Sequence, residues 1–211
     1  MLNARRLALV GTISPVVFLG VAIVVTALEW NFLHGIGWHL IENSRIVYPS
    51  ATAMGPYGLL QTVNFIQLGL GIIALAAGLW MTVRPRPRVG LAFVFLAGIA
   101  IVLSMFTTDG TSGTPTTWHG TIHGLAFILM LFSTLIGSLV LAFQLGNNMQ
   151  WRPVAVVSVT VPIVIIGTLV LSGAIKQAGG IIGIVSLLVI FAWYELLALR
   201  LLGVTSKHPA S

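Results

Sequence analysis

His119 and His123 stand four residues apart in the stretch His119-Gly-Thr-Ile-His123. On a helix that spacing puts both imidazoles on one face, about one turn apart. Two histidines so placed can grip one metal ion, provided a third ligand arrives from elsewhere. Asp109 lies ten residues upstream, and His39 and Glu42 form an i, i+3 pair in an earlier segment. Zinc or another transition metal held by His119, His123 and Asp109, with His39 as a further candidate ligand, would activate a bound water. Glu42 is then the candidate catalytic general base. Two metal-free readings use the same residues. Buried polar groups need partners, so His123 could belong to a hydrogen-bond network with Asp109 and a neighbouring helix. Alternatively the cluster handles a ligand or a proton.

Gln61, Asn64 and Gln67 recur at i, i+3 and i+6. Three amides on one face of an apolar helix either bond a neighbouring helix or line a wet cavity. If the stripe faces the histidines, Gln61, Asn64, Gln67, Asp109, His119 and His123 line one polar ligand pocket. Gly120-x-x-x-Gly124 interleaves with the histidines, and Gly179-x-x-x-Gly183 repeats the pattern later. Small residues at this spacing let helices approach closely, which predicts that the helix bearing the histidines is central to its bundle.

The elements that must position these residues follow from composition. The chain has 211 residues, of which 57% are hydrophobic and 7% charged. A soluble domain carries about 25% charged residues, so lipid must be the main solvent here. Six apolar spans are expected, at about 7–28, 56–83, 89–107, 120–145, 154–171 and 179–202. Each approaches the ~20 residues that cross ~30 Å of hydrocarbon. They must be helices, because lipid offers backbone groups no hydrogen-bond partner. The fold class is therefore all-α, a polytopic six-helix transmembrane bundle forming one domain over residues 1–211. The first span is too long for a signal-peptide core and reads as a retained helix. Pro162 predicts a kink in the fifth. Residues 29–55 carry Trp30, Phe32, Leu33, Ile36, Trp38, Leu40 and Ile41 among polar residues. That mixture predicts an amphipathic helix lying in the membrane interface.

Lys and Arg set the orientation. With the N-terminus inside, Arg5, Arg6, Arg84, Arg86, Arg88, Arg152, Arg200 and Lys207 are inner, while Arg45 and Lys176 are outer. The protein is predicted N-in and C-in in the plasma membrane. Glu29, Glu42, Asp109, His34, His39, His119 and His123 then all fall at the outer face. Glu195 is the exception, and an ion pair with an inner arginine is expected for it. No basic, aromatic-interleaved face is present to track a phosphate backbone, so nucleic acid is excluded as a partner. There is no cysteine, which removes disulfides and thiolate chemistry. Phosphate-binding loops, nucleophile elbows and zincin motifs do not occur either.

The six spans, the segment Phe106-Thr-Thr-Asp109 and the start His119-Gly-Thr-Ile-His123 resemble a bacterial membrane family, domain of unknown function 998. The resemblance covers nearly the whole chain and implies a six-helix membrane protein without assigned activity. Asp109, His119 and His123 are also similar to part of the metal set of membrane hydrolases related to alkaline ceramidases. The paired histidine motif of that group's later spans is missing. The favoured expectation is an outward-facing pocket that binds a membrane lipid or small molecule, or serves a homo-oligomer or membrane complex. A metal-dependent hydrolase of outer-leaflet lipid is the alternative, and a small-solute transporter the third.

Overall fold

The structure, a computed structural model, describes residues 3–41, 48–109 and 115–207. Asn3 starts the first helix, its side chain accepting the Arg6 N–H at 2.9 Å and so satisfying one free donor of the helix end. Seven α-helices follow among the described residues: α1 (Ala4–Leu28), α2 (Trp30–Gly35), α3 (Gly58–Thr82), α4 (Arg88–Leu103), α5 (Trp118–Leu145), α6 (Arg152–Ala174) and α7 (Gly179–Lys207). Five of them are long and apolar enough to cross a membrane, and α4 is a shorter apolar helix of 16 residues. At 1.5 Å per residue α4 spans about 24 Å. It ends at Leu103 rather than Thr107, because the Met105 and Phe106 N–H groups turn back to the Val102 and Leu103 carbonyls, three residues away instead of four. Residues 104–107 thereby become connecting chain with carbonyls to spare. The chain is thus an all-helical, multi-pass membrane protein.

Each long helix packs on the next, and α7 returns to α1, closing a ring of six antiparallel neighbours. α3 also touches α7 across the ring, so α3, and not the histidine-bearing α5, has three long-helix neighbours. Phe18, Leu68, Ile72, Leu75, Tyr194 and Leu197 fill the interior and are fully buried. The outward faces carry apolar side chains such as Leu59, Phe143 and Val170, exposed by 76%, 81% and 66%. Such a surface suits hydrocarbon, which is itself apolar, and not water. Hydroxyls tie helices together. Thr134 Oγ1 lies 2.8 Å from Tyr194 Oη, and Trp193 Nε1 donates to Ser158 Oγ at 2.8 Å. α6 runs unbroken through Pro162, which is buried.

The up-and-down path places the described residues of 29–57, 104–117 and 175–178 at one end. Glu29, Asp109, His34, His39 and His119 lie there, so it is called the acid–histidine end below. The other end carries Arg84, Arg86 and Arg88. There Asn148 Nδ2 donates to the Arg84 carbonyl and Arg200 to the Gln150 carbonyl. The ion pair expected for Glu195 does not form among the described residues, where its buried Oε2 has no partner.

The segment after α1 differs from the expected interfacial helix. α2 is six residues long, and Gly37 then turns the chain with φ 83°, a conformation glycine adopts without steric cost. The turn drives Trp38 into the protein, where it is 1% exposed. Leu33, Trp38 and Ala51 form a small apolar cluster with Phe32, Ile36, Tyr48 and Met54 around it. The segment is therefore a cap folded over the acid–histidine end. Glu42 and Arg45 lie outside the described residues.

Candidate functional site

The polar residues singled out by the sequence divide into three groups. The amide stripe turns toward α1. Asn64 Nδ2 donates to the Phe18 carbonyl at 2.9 Å and to Gln61 Oε1 at 3.2 Å. Gln67 Nε2 donates to the Ser14 carbonyl at 3.2 Å and to Asn64 Oδ1 at 3.0 Å. Carbonyl oxygens carry two lone pairs, so Ser14 and Phe18 can accept these bonds beside their helical ones. The ladder joins helices, as polar side chains do in lipid, and these four bonds include no histidine. Gln61 is fully buried, and its Nε2 has no partner among the described residues.

The second group is a clamp between the α4–α5 connection and the start of α5. Thr117 caps α5, its hydroxyl oxygen accepting the Gly120 N–H at 3.1 Å. The same hydroxyl donates to Asp109 Oδ1 at 2.5 Å, and the Thr117 N–H donates to Oδ2 at 3.1 Å. These donors, with His119 nearby, hold the Asp109 carboxyl below the usual carboxylate range. Gly120 makes room for it: a Cβ there would stand 2.1 Å from the carboxyl carbon. His119 Nδ1 lies 3.0 Å from the Thr107 carbonyl and 3.0 Å from Thr117 Oγ1. A carbonyl only accepts, so Nδ1 carries the proton.

The third group was only half legible. His123 Nδ1 lies 2.6 Å from the Phe106 carbonyl, and Nε2 lies 2.8 Å from Ser50 Oγ. The consecutive carbonyls of Phe106 and Thr107 thus fix the tautomers of both histidines. Ser50 opens the 3-10 turn Ser50–Met54 and is buried with His123, each 5% exposed. Beside the pair is a space of about 30 Å³ walled by Phe18, Phe65, Leu68, Ile101 and Phe191. That is room for one or two waters. Sequence spacing offered no signal for Ser50, which is 73 residues from its partner.

Among the described residues no three His, Asp or Glu side chains gather as a metal site would require. His119 and His123 spend their Nδ1 protons on separate carbonyls and face different partners. His39 lies instead against His34, with ring centroids 5.2 Å apart. A metal set of Asp109, His119 and His123 therefore does not fit this arrangement, and Glu42 lies outside the described residues.

A larger cavity, about 220 Å³, opens between α5, α6 and α7. Phe127, Leu131, Ile165, Leu169, Leu187 and Ile190 line it, with Ser172 and Ser186 among its few polar walls. Trp38 and Tyr48 of the cap border it, their rings stacked at 5.6 Å. Tyr48, Phe127 and Leu187 also wall the space beside His123. Gly183 borders the cavity with nothing within 4 Å of where its Cβ would be. Glu29, on the cap, is buried, and burial pushes its carboxyl up although the Tyr57 N–H donates to Oε1 at 2.6 Å.

Comparison with curated proteins and with solved structures found no match. The model of a protein family does match, over residues 37–200, a range that holds α3 to α6, the cap from Gly37 and most of α7. The chain belongs to that family, described as a protein of unknown function, DUF998.

Proposed function

We propose that the protein binds an apolar, lipid-derived molecule in the cavity between α5, α6 and α7, at a membrane face turned outward. The observation that carries this reading is the cavity itself: about 220 Å³, walled by aliphatic and aromatic side chains and bordered by the stacked Trp38 and Tyr48. Binding sites for small molecules are mostly apolar hollows with a few placed polar groups. Here Ser172, Ser186 and the cap supply those groups. Placement in the plasma membrane with the arginine end inside accords with eight of ten Lys and Arg residues lying at that end.

Gly183→Leu tests the reading. Gly183 lines the cavity and a Cβ there meets nothing within 4 Å, so the substitution adds bulk at the cavity wall. Binding of a fluorescent polyene fatty acid to the purified protein in detergent should fall at least tenfold, with thermal stability kept or raised. Unchanged binding in a folded Gly183→Leu protein would move the ligand elsewhere.

A further inference from the structure

We propose that Ser50 and His123 form a nucleophile–base pair that transfers acyl groups from carboxylic esters of apolar chains. The proposal rests on the neighbouring cavity being the site for the chain. The Phe106 carbonyl, 2.6 Å from Nδ1, can only accept, so His123 carries its proton there. Nε2 is then a bare lone pair, and the Ser50 hydroxyl, 2.8 Å away, must donate to it. A hydroxyl within hydrogen-bond reach of an imidazole, itself oriented by a third group, is the arrangement that activates a serine. A main-chain carbonyl fills the orienting role here.

Other buried hydroxyls behave differently. Ser14, Thr134 and Ser158 each donate to a carbonyl four residues back in their own helix, and Ser104 does the same from the end of α4, the ordinary use of such groups in apolar helices. Ser50 instead meets an imidazole from a distant part of the chain, inside an apolar enclosure with room for water. The two spaces share the walls Tyr48, Phe127 and Leu187. An acyl chain lying in the larger one would bring its carbonyl toward Ser50.

The reaction balances with water as the only co-reactant. Ser50 Oγ bonds to the ester carbonyl carbon as its proton passes to His123 Nε2. The bond from that carbon to the alcohol oxygen breaks, and the alcohol leaves with the proton from Nε2. Water then adds to the acyl-serine carbon and gives a proton to Nε2. The bond to Oγ breaks, the proton returns to Ser50, and a free carboxylic acid departs.

The test is covalent labelling of the full chain in detergent with a short-chain and a long-chain alkyl fluorophosphonate, the adduct located by mass spectrometry. The expected adduct is on Ser50 with both probes, absent in Ser50→Ala and at least 100-fold slower in His123→Gln, the usual scale of lost general-base catalysis. Gly183→Leu should slow the long probe and spare the short one. Ser50→Cys gives an independent readout, because the chain has no other cysteine. Its thiol should alkylate with iodoacetamide at least tenfold faster than in Ser50→Cys/His123→Gln. A folded protein that binds the fluorescent fatty acid but takes neither probe at Ser50, or an adduct rate indifferent to His123→Gln, overturns the acyl-transfer assignment and leaves the binding reading standing. Loss of both binding and labelling overturns both.

Discussion

The Asp109 carboxyl fills the volume that a Cβ on Gly120 would occupy, with the carboxyl carbon 2.1 Å from that position. From there it receives the hydroxyl and the N–H of Thr117 and ties the α4–α5 connection to the cap of α5. Gly120 therefore acts as a seat for a carboxylate. Gly124, one turn on, has nothing within 4 Å of where its Cβ would be.

This contrast makes a paired prediction. Ala gains up to about 1 kcal/mol over Gly in a helix interior, and Gly124→Ala should realise part of that gain. Gly120→Ala must expel Asp109 from the Thr117 donors. Its unfolding temperature in detergent should fall below that of Gly124→Ala by on the order of 2–4 °C or more. Equal shifts in the two variants would mean that the seat is unimportant.

The two described acids of the acid–histidine end respond to pH in opposite senses. Asp109 is held below its ordinary value of 3.8. Its stabilising contribution is complete above that value and is lost only as pH falls through its lower folded value. Glu29 is raised above its ordinary 4.5 by burial. The favour its folded environment gives the protonated form is complete below about 4.5 and disappears as pH rises through the higher folded value. Of these two acids only Glu29 contributes a slope between pH 4.5 and neutrality, and its contribution raises stability on mild acidification. Glu29→Gln keeps an acceptor for the Tyr57 N–H and cannot ionise, so it should flatten that slope in thermal unfolding. A slope identical to that of the unchanged protein would assign it to another group.

Much of the fold was legible because lipid leaves few alternatives. Apolar runs of sufficient length had to be helices, and they are. The boundary at Leu103 was not legible, since residues up to Phe106 are apolar enough to continue a helix. The backbone turn at Ser104 ended it and freed the Phe106 and Thr107 carbonyls for the histidines. The inward turn of the cap was not legible, because tryptophans among polar residues read the same whether they lie in an interface or fold inward. The turn at Gly37, which sends Trp38 inward, decided it. The glycine patterns misled similarly: Gly120 seats a carboxylate and Gly183 borders a cavity, where helix–helix approach was expected. His123 was visible by its spacing, whereas Ser50 was invisible, because serine in an apolar loop carries no periodicity.

The amide ladder supplies a last prediction, with its order set by partners. Asn64 bridges three groups: it donates to Phe18 and to Gln61 and accepts from Gln67. Asn64→Leu would strand the Gln61 acceptor and one contact of Gln67 in the interior between α1 and α3. Interhelical polar bonds in membranes contribute about 0.6 kcal/mol on average, and stranding buried partners adds about 1–3 kcal/mol. A loss of about 2 kcal/mol is expected for Asn64→Leu. Gln61→Leu removes an amide whose Nε2 is already buried without a partner among the described residues. It costs Asn64 one acceptor and leaves the bond to Phe18, so the loss should be within about 1 kcal/mol of zero. Unfolding in mixed detergent micelles ranks the two. A Gln61→Leu loss equal to or above that of Asn64→Leu would mean that Gln61 Nε2 has a partner the ladder does not include. Neither substitution touches the cavity wall, so fatty-acid binding and Ser50 labelling should survive in both folded variants.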